Sequence, residues 1–196
     1  KNSVPDLKQT PEVLSFITSW TQYGFGSVLI FLAVGTILTL VLQSSSATMA
    51  LTLIMMSLGW IPFSMAAAMV LGENIGTTIT ANIAASVAKP NAKRAALAHT
   101  LFNVFGVIWA LALFKPFTML IGNIIAAMGY PNPAEMSYSG TIDPTSPEST
   151  AALYGLSMFH TLFNTFNTCI LIWFIPQLEK IVTSVIKGKQ NPEDEA

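Results

Sequence analysis

Charge is what this 196-residue sequence has least of. Lys, Arg, Asp and Glu together make up 10% of it, against about 25% in an ordinary soluble domain. Between Glu12 and Glu73 there is no charged residue at all, a gap of 60 positions. Two or three apolar helices of about 20 residues fit into such a gap. Ala95–Phe114 and Ser149–Leu178 are also uncharged. A water-soluble core needs charged faces between its buried stripes. These segments have none, so they are suited to lipid. The net charge of -1 leaves no electrostatic footprint for nucleic acid. The single cysteine, Cys169, excludes an intramolecular disulfide and says little about redox compartment. The chain opens on Lys1 without a recognisable secretory leader, and is expected to be part of a longer protein.

What is present is organised by polar interruptions. Residues 1–12 hold Pro5 and Pro11 and read as a polar loop. Gly24–Leu42 fits a spanning or membrane-entering helix. Four polar residues follow, Gln43-Ser44-Ser45-Ser46, and then Ala47–Leu58 is apolar again. Gly59-Trp60-Ile61-Pro62 carries turn chemistry, with Trp60 suited to a membrane interface. Phe63–Leu71 is apolar, and Gly72-Glu73-Asn74-Ile75-Gly76-Thr77-Thr78 reads as a second polar break. As helices, Ala47–Leu58 and Phe63–Leu71 would be about 18 and 14 Å long, roughly half of a 30 Å hydrocarbon core. The lengths predict a hairpin of half-helices over 43–88 that returns both breaks to similar depth. Irregular backbone at that depth must face protein or a wet cavity.

Beyond the hairpin, residues 95–114 and 150–176 are each long enough to span. Pro116–Met128 fits an interfacial or partly inserted helix. Residues 130–149 hold four prolines and three carboxylates and read as an aqueous loop. Lys89, Lys93 and Arg94 flank one long helix, and Lys180, Lys187 and Lys189 follow the other. The positive-inside rule puts both clusters in the cytoplasm and 130–149 outside. The membrane unit is expected over 13–180, with a cytoplasmic linker at 181–196. His99-Thr100-Leu101-Phe102-Asn103 recurs as His160-Thr161-Leu162-Phe163-Asn164, which marks two similar helices, not a solenoid.

The polar residues set the chemistry. Serines at the start of Ala47–Leu58 can cap a helix N-terminus, whose unpaired N–H groups attract anions. Hydroxyl and carbonyl oxygens suit a hard cation. Broken membrane helices that carry both are the mark of a transporter, and the plainer alternative is interhelical hydrogen bonding. Glu73 is the only charge in the central block, and an ionisable residue there points to function. Asn74, Thr77 and Thr78 add neutral oxygens, while Gly72 and Gly76 would let the backbone break and approach a ligand. His99 with Asn103, and Ser157, His160, Thr161, Asn164 and Thr168, form polar stripes at helical spacing. Two isolated histidines make a poor metal site. No Lys or Arg lies in the hairpin, so an anionic substrate would need co-bound cations, a reason to expect sodium.

These motifs resemble the second repeat of the bacterial type II sodium–phosphate cotransporters. The similarity runs over roughly residues 25–180. It rests on Gln43 to Thr48, Gly72 to Thr80, Lys93 to Ala96 leading into His99 to Asn103, and the His160 to Asn167 stretch. The resemblance implies an all-α integral membrane protein of the inner (plasma) membrane. It would have a re-entrant hairpin with broken helices and two or three spanning helices, and would form one of two inverted repeats. It implies symport of inorganic phosphate with sodium by alternating access, with no cofactor other than the coupling ion. Gln43, Ser44, Ser45 and Ser46 would bind phosphate. Ser45, Glu73, Asn74, Thr77 and Thr78 would bind sodium, and His99, Asn103, His160 and Asn164 would form a supporting polar face. Only one Gln-Ser-Ser-Ser run is present, so a first repeat or a homodimer partner would complete the site. Glu73 departs from the small, amide or aspartate residue more usual there. Two other readings compete: a non-transporting assembly domain, and an intramembrane serine hydrolase pairing Ser44, Ser45 or Ser46 with His99 or His160. The hydrolase would need a nucleophile–base pair, and the sequence has no Gly-x-Ser-Gly elbow.

Overall fold

The computed structural model describes residues 15–17, 19–138 and 142–188, so the expected N-terminal loop at 1–12 lies outside it. The described residues are helical throughout, without strands. The helices are α1 (Phe25–Leu42), α2 (Ser45–Ser57), α3 (Phe63–Ala85), α4 (Pro90–Ala112), α5 (Phe114–Ala127), α6 (Pro147–Leu171) and α7 (Ile175–Val185). A 3-10 turn, Ile172–Phe174, joins the last two. Three segments are long and apolar enough to cross a membrane: Phe25–Leu42, Pro90–Ala112 and Pro147–Val185.

The turn between α2 and α3 falls where its residues predict. Gly59 has φ 79°, a left-handed conformation that costs glycine little. Its N–H donates to the Met56 carbonyl and that of Trp60 to Met55, a Schellman closure of α2. Pro62 then sits at the N-cap of α3 in extended conformation. It cannot continue a helix from before, but it presets φ for one that follows. The turn is held from outside by the Ile142 N–H, which donates to the Leu58 carbonyl. It therefore lies at the same end of the molecule as the 130–146 loop.

The second arm corrects the expected half-helix. Phe63–Leu71 does not end at a break. It is the first part of a 23-residue helix that runs through residues 72–78, about 34 Å in all. The polar side chains do not interrupt this helix because they bond to it. Asn74 donates to the Val70 carbonyl at 2.9 Å, Thr77 to Glu73 at 2.9 Å and Thr78 to Ile75 at 2.8 Å. Nor do Gly72 and Gly76 break the backbone toward a ligand. They admit α1. A Cβ on Gly72 would run into the Leu32 carbonyl, one on Gly76 into Thr39, and one on Gly35 into the Met69 carbonyl. Small residues four apart let membrane helices approach this closely. The Thr36 hydroxyl bridges the contact by donating to the Gly72 carbonyl at 3.0 Å.

Those contacts also fix direction. Gly35 meets Met69, Thr36 meets Gly72, and Thr39 meets Gly76, so α1 and α3 run parallel. The intervening α2 must run back antiparallel to both and pack beside them. The chain therefore makes two reversals, one at the Gly59–Pro62 turn and one at Gln43–Ser44. Gly76 is 13 residues into α3, so the Gln43–Ser44 corner lies about 20 Å from the other turn.

The remaining helices pack through aromatics. Phe63, Phe114 and Phe117 gather around Phe159, at centroid distances of 5.2–6.5 Å. Trp109 stacks on Phe163 at 5.7 Å. The α6 face formed by Ala152, Leu156, Phe159 and Phe163 is fully buried. At the opposite end from the turn, Arg94 Nε donates to the Ile186 carbonyl at 3.1 Å. Arg94 and the stretch that carries Lys187 are thus at one end. α7 extends to Val185, into the 181–196 segment read as linker.

Candidate functional site

The Gln43–Ser44 corner has unusual backbone. Gln43 is left-handed (φ 50°, ψ 29°), the only non-glycine residue with positive φ among those described. Such a conformation costs an L-residue roughly 1–2 kcal/mol, and strain of this kind collects at functional sites. Ser44 is extended and caps α2, its hydroxyl accepting from the Ala47 N–H at 3.2 Å. That leaves the amides of Ser45 and Ser46 in the first turn with no intrahelical acceptor. Gln43 and Ser46 are exposed, while Ser44 and Ser45 are half-buried.

A buried polar column runs from this corner toward the turn. The Thr39 hydroxyl lies 3.2 Å from that of Thr48, joining α1 to α2. One turn on, the Thr52 hydroxyl lies 2.9 Å from the Thr48 carbonyl and 3.2 Å from Glu73 Oε1. Glu73 is 3% exposed. A buried carboxylate needs partners, and Thr52 supplies one across the α2–α3 interface. Thr39, Thr48 and Thr52 are wholly or nearly wholly buried. The sequence reading missed them as site residues, although Thr48 and Thr52 stand four apart on one helix face, the spacing that could have found them.

The Thr52–Glu73 contact sets the register of the two antiparallel helices. One turn further from Pro62, Thr48 comes level with Thr77, and the serine corner lies up to a turn beyond them along α2. Around that level the two sides present opposite chemistry. The corner offers N–H donors. On α3 the Thr77 hydroxyl and one N–H of Asn74 are spent on carbonyls, while Thr77 Oγ1 and Asn74 Oδ1 remain as acceptors, and both residues are half-buried. Thr78 is fully buried. No group of three or more His, Cys, Asp or Glu able to hold a metal ion occurs among the described residues. Neutral oxygens with one carboxylate suit a hard cation rather than a soft one.

The supporting face is not assembled around this corner. Exposed His99 lines a cavity between α4 and α7. The α4 residues that meet α3 are Ala96 and Thr100, to which Asn82 donates at 3.3 and 2.6 Å. Asn103 is buried and bonds the His99 carbonyl. On α6, His160 and Thr161 are exposed and Asn164 is half-buried, its amide donating to the His160 carbonyl. The buried asparagine of α6 is instead Asn167, which donates to the Phe102 carbonyl at 3.0 Å and accepts from Trp109 Nε1 at 3.1 Å. No hydrogen bond among the described residues joins either histidine ring to Ser44, Ser45 or Ser46.

Comparison with known proteins gives a family match and several relatives. A family model described as Na+/Pi-cotransporter matches residues 12–130. An uncharacterized Bacillus subtilis protein, YqeW, is 38% identical over 53% of the chain and 32% of its own length. The mouse sodium-dependent phosphate transport protein 2C is 36% identical over 64% of the chain and 23% of its own length. The putative inorganic phosphate export protein YjbB of Escherichia coli is 23% identical over 84% of the chain and 26% of its own length. The chain thus spans about a quarter to a third of these curated relatives. No solved structure matches it.

Proposed function

The chain belongs to the Na+/Pi-cotransporter family, and from that premise we propose that it supplies half of a sodium-coupled site for inorganic phosphate in the inner (plasma) membrane. α1 and α2 meet in a hairpin at the Gln43–Ser46 corner. Gln43, Ser44, Ser45 and Ser46 bind phosphate through side chains and first-turn amides, the positive end of α2 facing the anion. Ser45 shares sodium with Glu73, Asn74, Thr77 and Thr78. Sodium is needed because no Lys or Arg stands in residues 13–88. A second repeat, in the same longer polypeptide or a second copy, covers the open side, and its movement against this half gives alternating access.

What supports this reading is the capped start of α2, whose first-turn amides have no intrahelical acceptor, on a helix that reaches the buried Glu73 of α3 through Thr52. A pure assembly interface needs donors and acceptors paired. Here each partner is left for a ligand of opposite charge, an oxyanion on one side and a cation on the other.

Uptake of radiolabelled phosphate into proteoliposomes of the intact protein tests it. Uptake should require a sodium gradient and be lost in Ser45→Ala and Thr77→Ala. Equal uptake in potassium buffer would refute the coupling. The name of the E. coli relative favours a second reading, outward flux through the same site. Vesicles preloaded with phosphate, with sodium on either side, separate the two directions.

A further inference from the structure

A cavity of about 560 Å³ lies between α4 and α7, apart from the serine corner. Its floor is apolar, from Ala95, Ala98 and Phe102 on one side and Leu178 and Val182 on the other. Leu178 also walls a second slot, of about 310 Å³, between Leu101, Phe105 and Phe174. Two apolar slots sharing one wall residue accept two alkyl chains side by side.

The polar end is basic. Arg94 lines the first cavity. Its Nε donates to the Ile186 carbonyl and its Nη1 to Asn91, both at 3.1 Å. Two of its five donors are therefore engaged, which fixes the guanidinium and leaves the others available. Lys93 precedes Arg94, and Lys187 follows the residue whose carbonyl Arg94 holds. Lys180 is exposed on α7. The cavity wall itself carries one cation, Arg94, and one carboxylate, Glu179, and Lys93 and Lys187 stand at its rim, Lys187 between Ile186 and Gly188, which both approach Arg94. The first cavity runs from this end to Phe102, and the second slot continues past Leu178 along Leu101 and Phe105 toward the middle of α4, the direction of the bilayer interior in the membrane reading above.

We propose that this groove binds an anionic phospholipid, its phosphate on Arg94 and Lys187 and its acyl chains in the slots flanking Leu178. Basic pockets between helices at the cytoplasmic surface take such headgroups. The excess of positive charge selects a net-negative lipid over a zwitterionic one. The apolar floor selects a lipid over a free phosphate, which would leave it uncovered. The inference is independent of the transport site, since neither Arg94 nor α7 contributes to that site.

Native mass spectrometry of the purified chain in neutral detergent tests this with dioleoyl phosphatidylglycerol, phosphatidylethanolamine and phosphatidylcholine. Phosphatidylglycerol should be retained about tenfold more strongly than the other two, the scale of one or two juxtamembrane cation contacts. Arg94→Gln with Lys187→Gln should abolish that preference, and Ala98→Trp should block retention by filling the slot. Equal or stronger retention of either zwitterionic lipid by the unmodified chain would overturn the proposal, whatever the variants do. So would displacement of phosphatidylglycerol by an equal concentration of glycerol 3-phosphate, which would make the site one for a soluble anion.

Discussion

The two ends of the chain solve helix packing in opposite ways. In the first, α1 and α3 touch backbone to backbone, because Gly35, Gly72 and Gly76 leave nothing between them. In the second, α5 and α6 are held apart by large rings, with Phe117, Phe159 and Phe163 filling the space. Close backbones bring carbonyls and hydroxyls into one small volume, as where Thr36 reaches Gly72 and Thr39 reaches Thr48. Rings give bulk and rigidity but few polar atoms. The polar column stands in the glycine half, and the aromatic half is its scaffold.

Substitutions sharpen this contrast. The largest effect is expected at Gly72→Val, which puts a branched side chain against the Leu32 carbonyl. The neighbour is backbone and cannot turn aside, so a loss of about 3–5 kcal/mol should appear in detergent unfolding. Phe159→Ala should cost slightly less, about 3–4 kcal/mol, since it empties a fully buried ring site. Sodium-dependent phosphate binding by the fraction that stays folded should be unchanged. If Phe159→Ala instead abolished binding in folded protein, the division into site and scaffold would fail.

Smaller changes separate site from fold. Thr52→Val removes the hydroxyl beside Glu73 and should lower stability by about 1–3 kcal/mol, while weakening sodium dependence more than phosphate affinity measured at saturating sodium. Ser44→Ala deletes the α2 cap for only about 1 kcal/mol, yet phosphate uptake should fall at least tenfold, a ratio worth about 1.4 kcal/mol. A cap that mattered only to folding would show the first loss without the second.

How much of this was legible in the sequence depended on what each polar residue was doing. The Gly59–Pro62 turn was readable because glycine and proline there serve conformation directly. The chain's membrane class followed from missing charge. The continuity of α3 was not readable. Gly72 and Gly76 serve a partner helix that sequence spacing does not reveal, and Asn74, Thr77 and Thr78 satisfy themselves on carbonyls of their own helix. The serine motif was found. The cap it forms on α2 was readable from serines standing at the start of an apolar helix, whereas the close packing of α1 on α3 around the Gln43–Ser44 reversal was not. Thr39 went unnoticed because a single threonine in an apolar run carries no periodic signal, and only tertiary contact joins it to Thr48 and Thr52 in a column. The stripe at His160, Thr161 and Asn164 was seen as polar, but its exposure in the isolated chain could only come from the fold.

The central claim is that phosphate and sodium occupy the corner together, and thiol protection measures that directly. Ser45→Cys in a Cys169→Ser background, which removes the exposed native thiol, would be labelled with a charged methanethiosulfonate reagent in the intact protein. Phosphate with sodium should slow labelling severalfold, and phosphate in potassium, or sodium with sulfate, should do so far less. Labelling rates that ignore both ions would contradict the account.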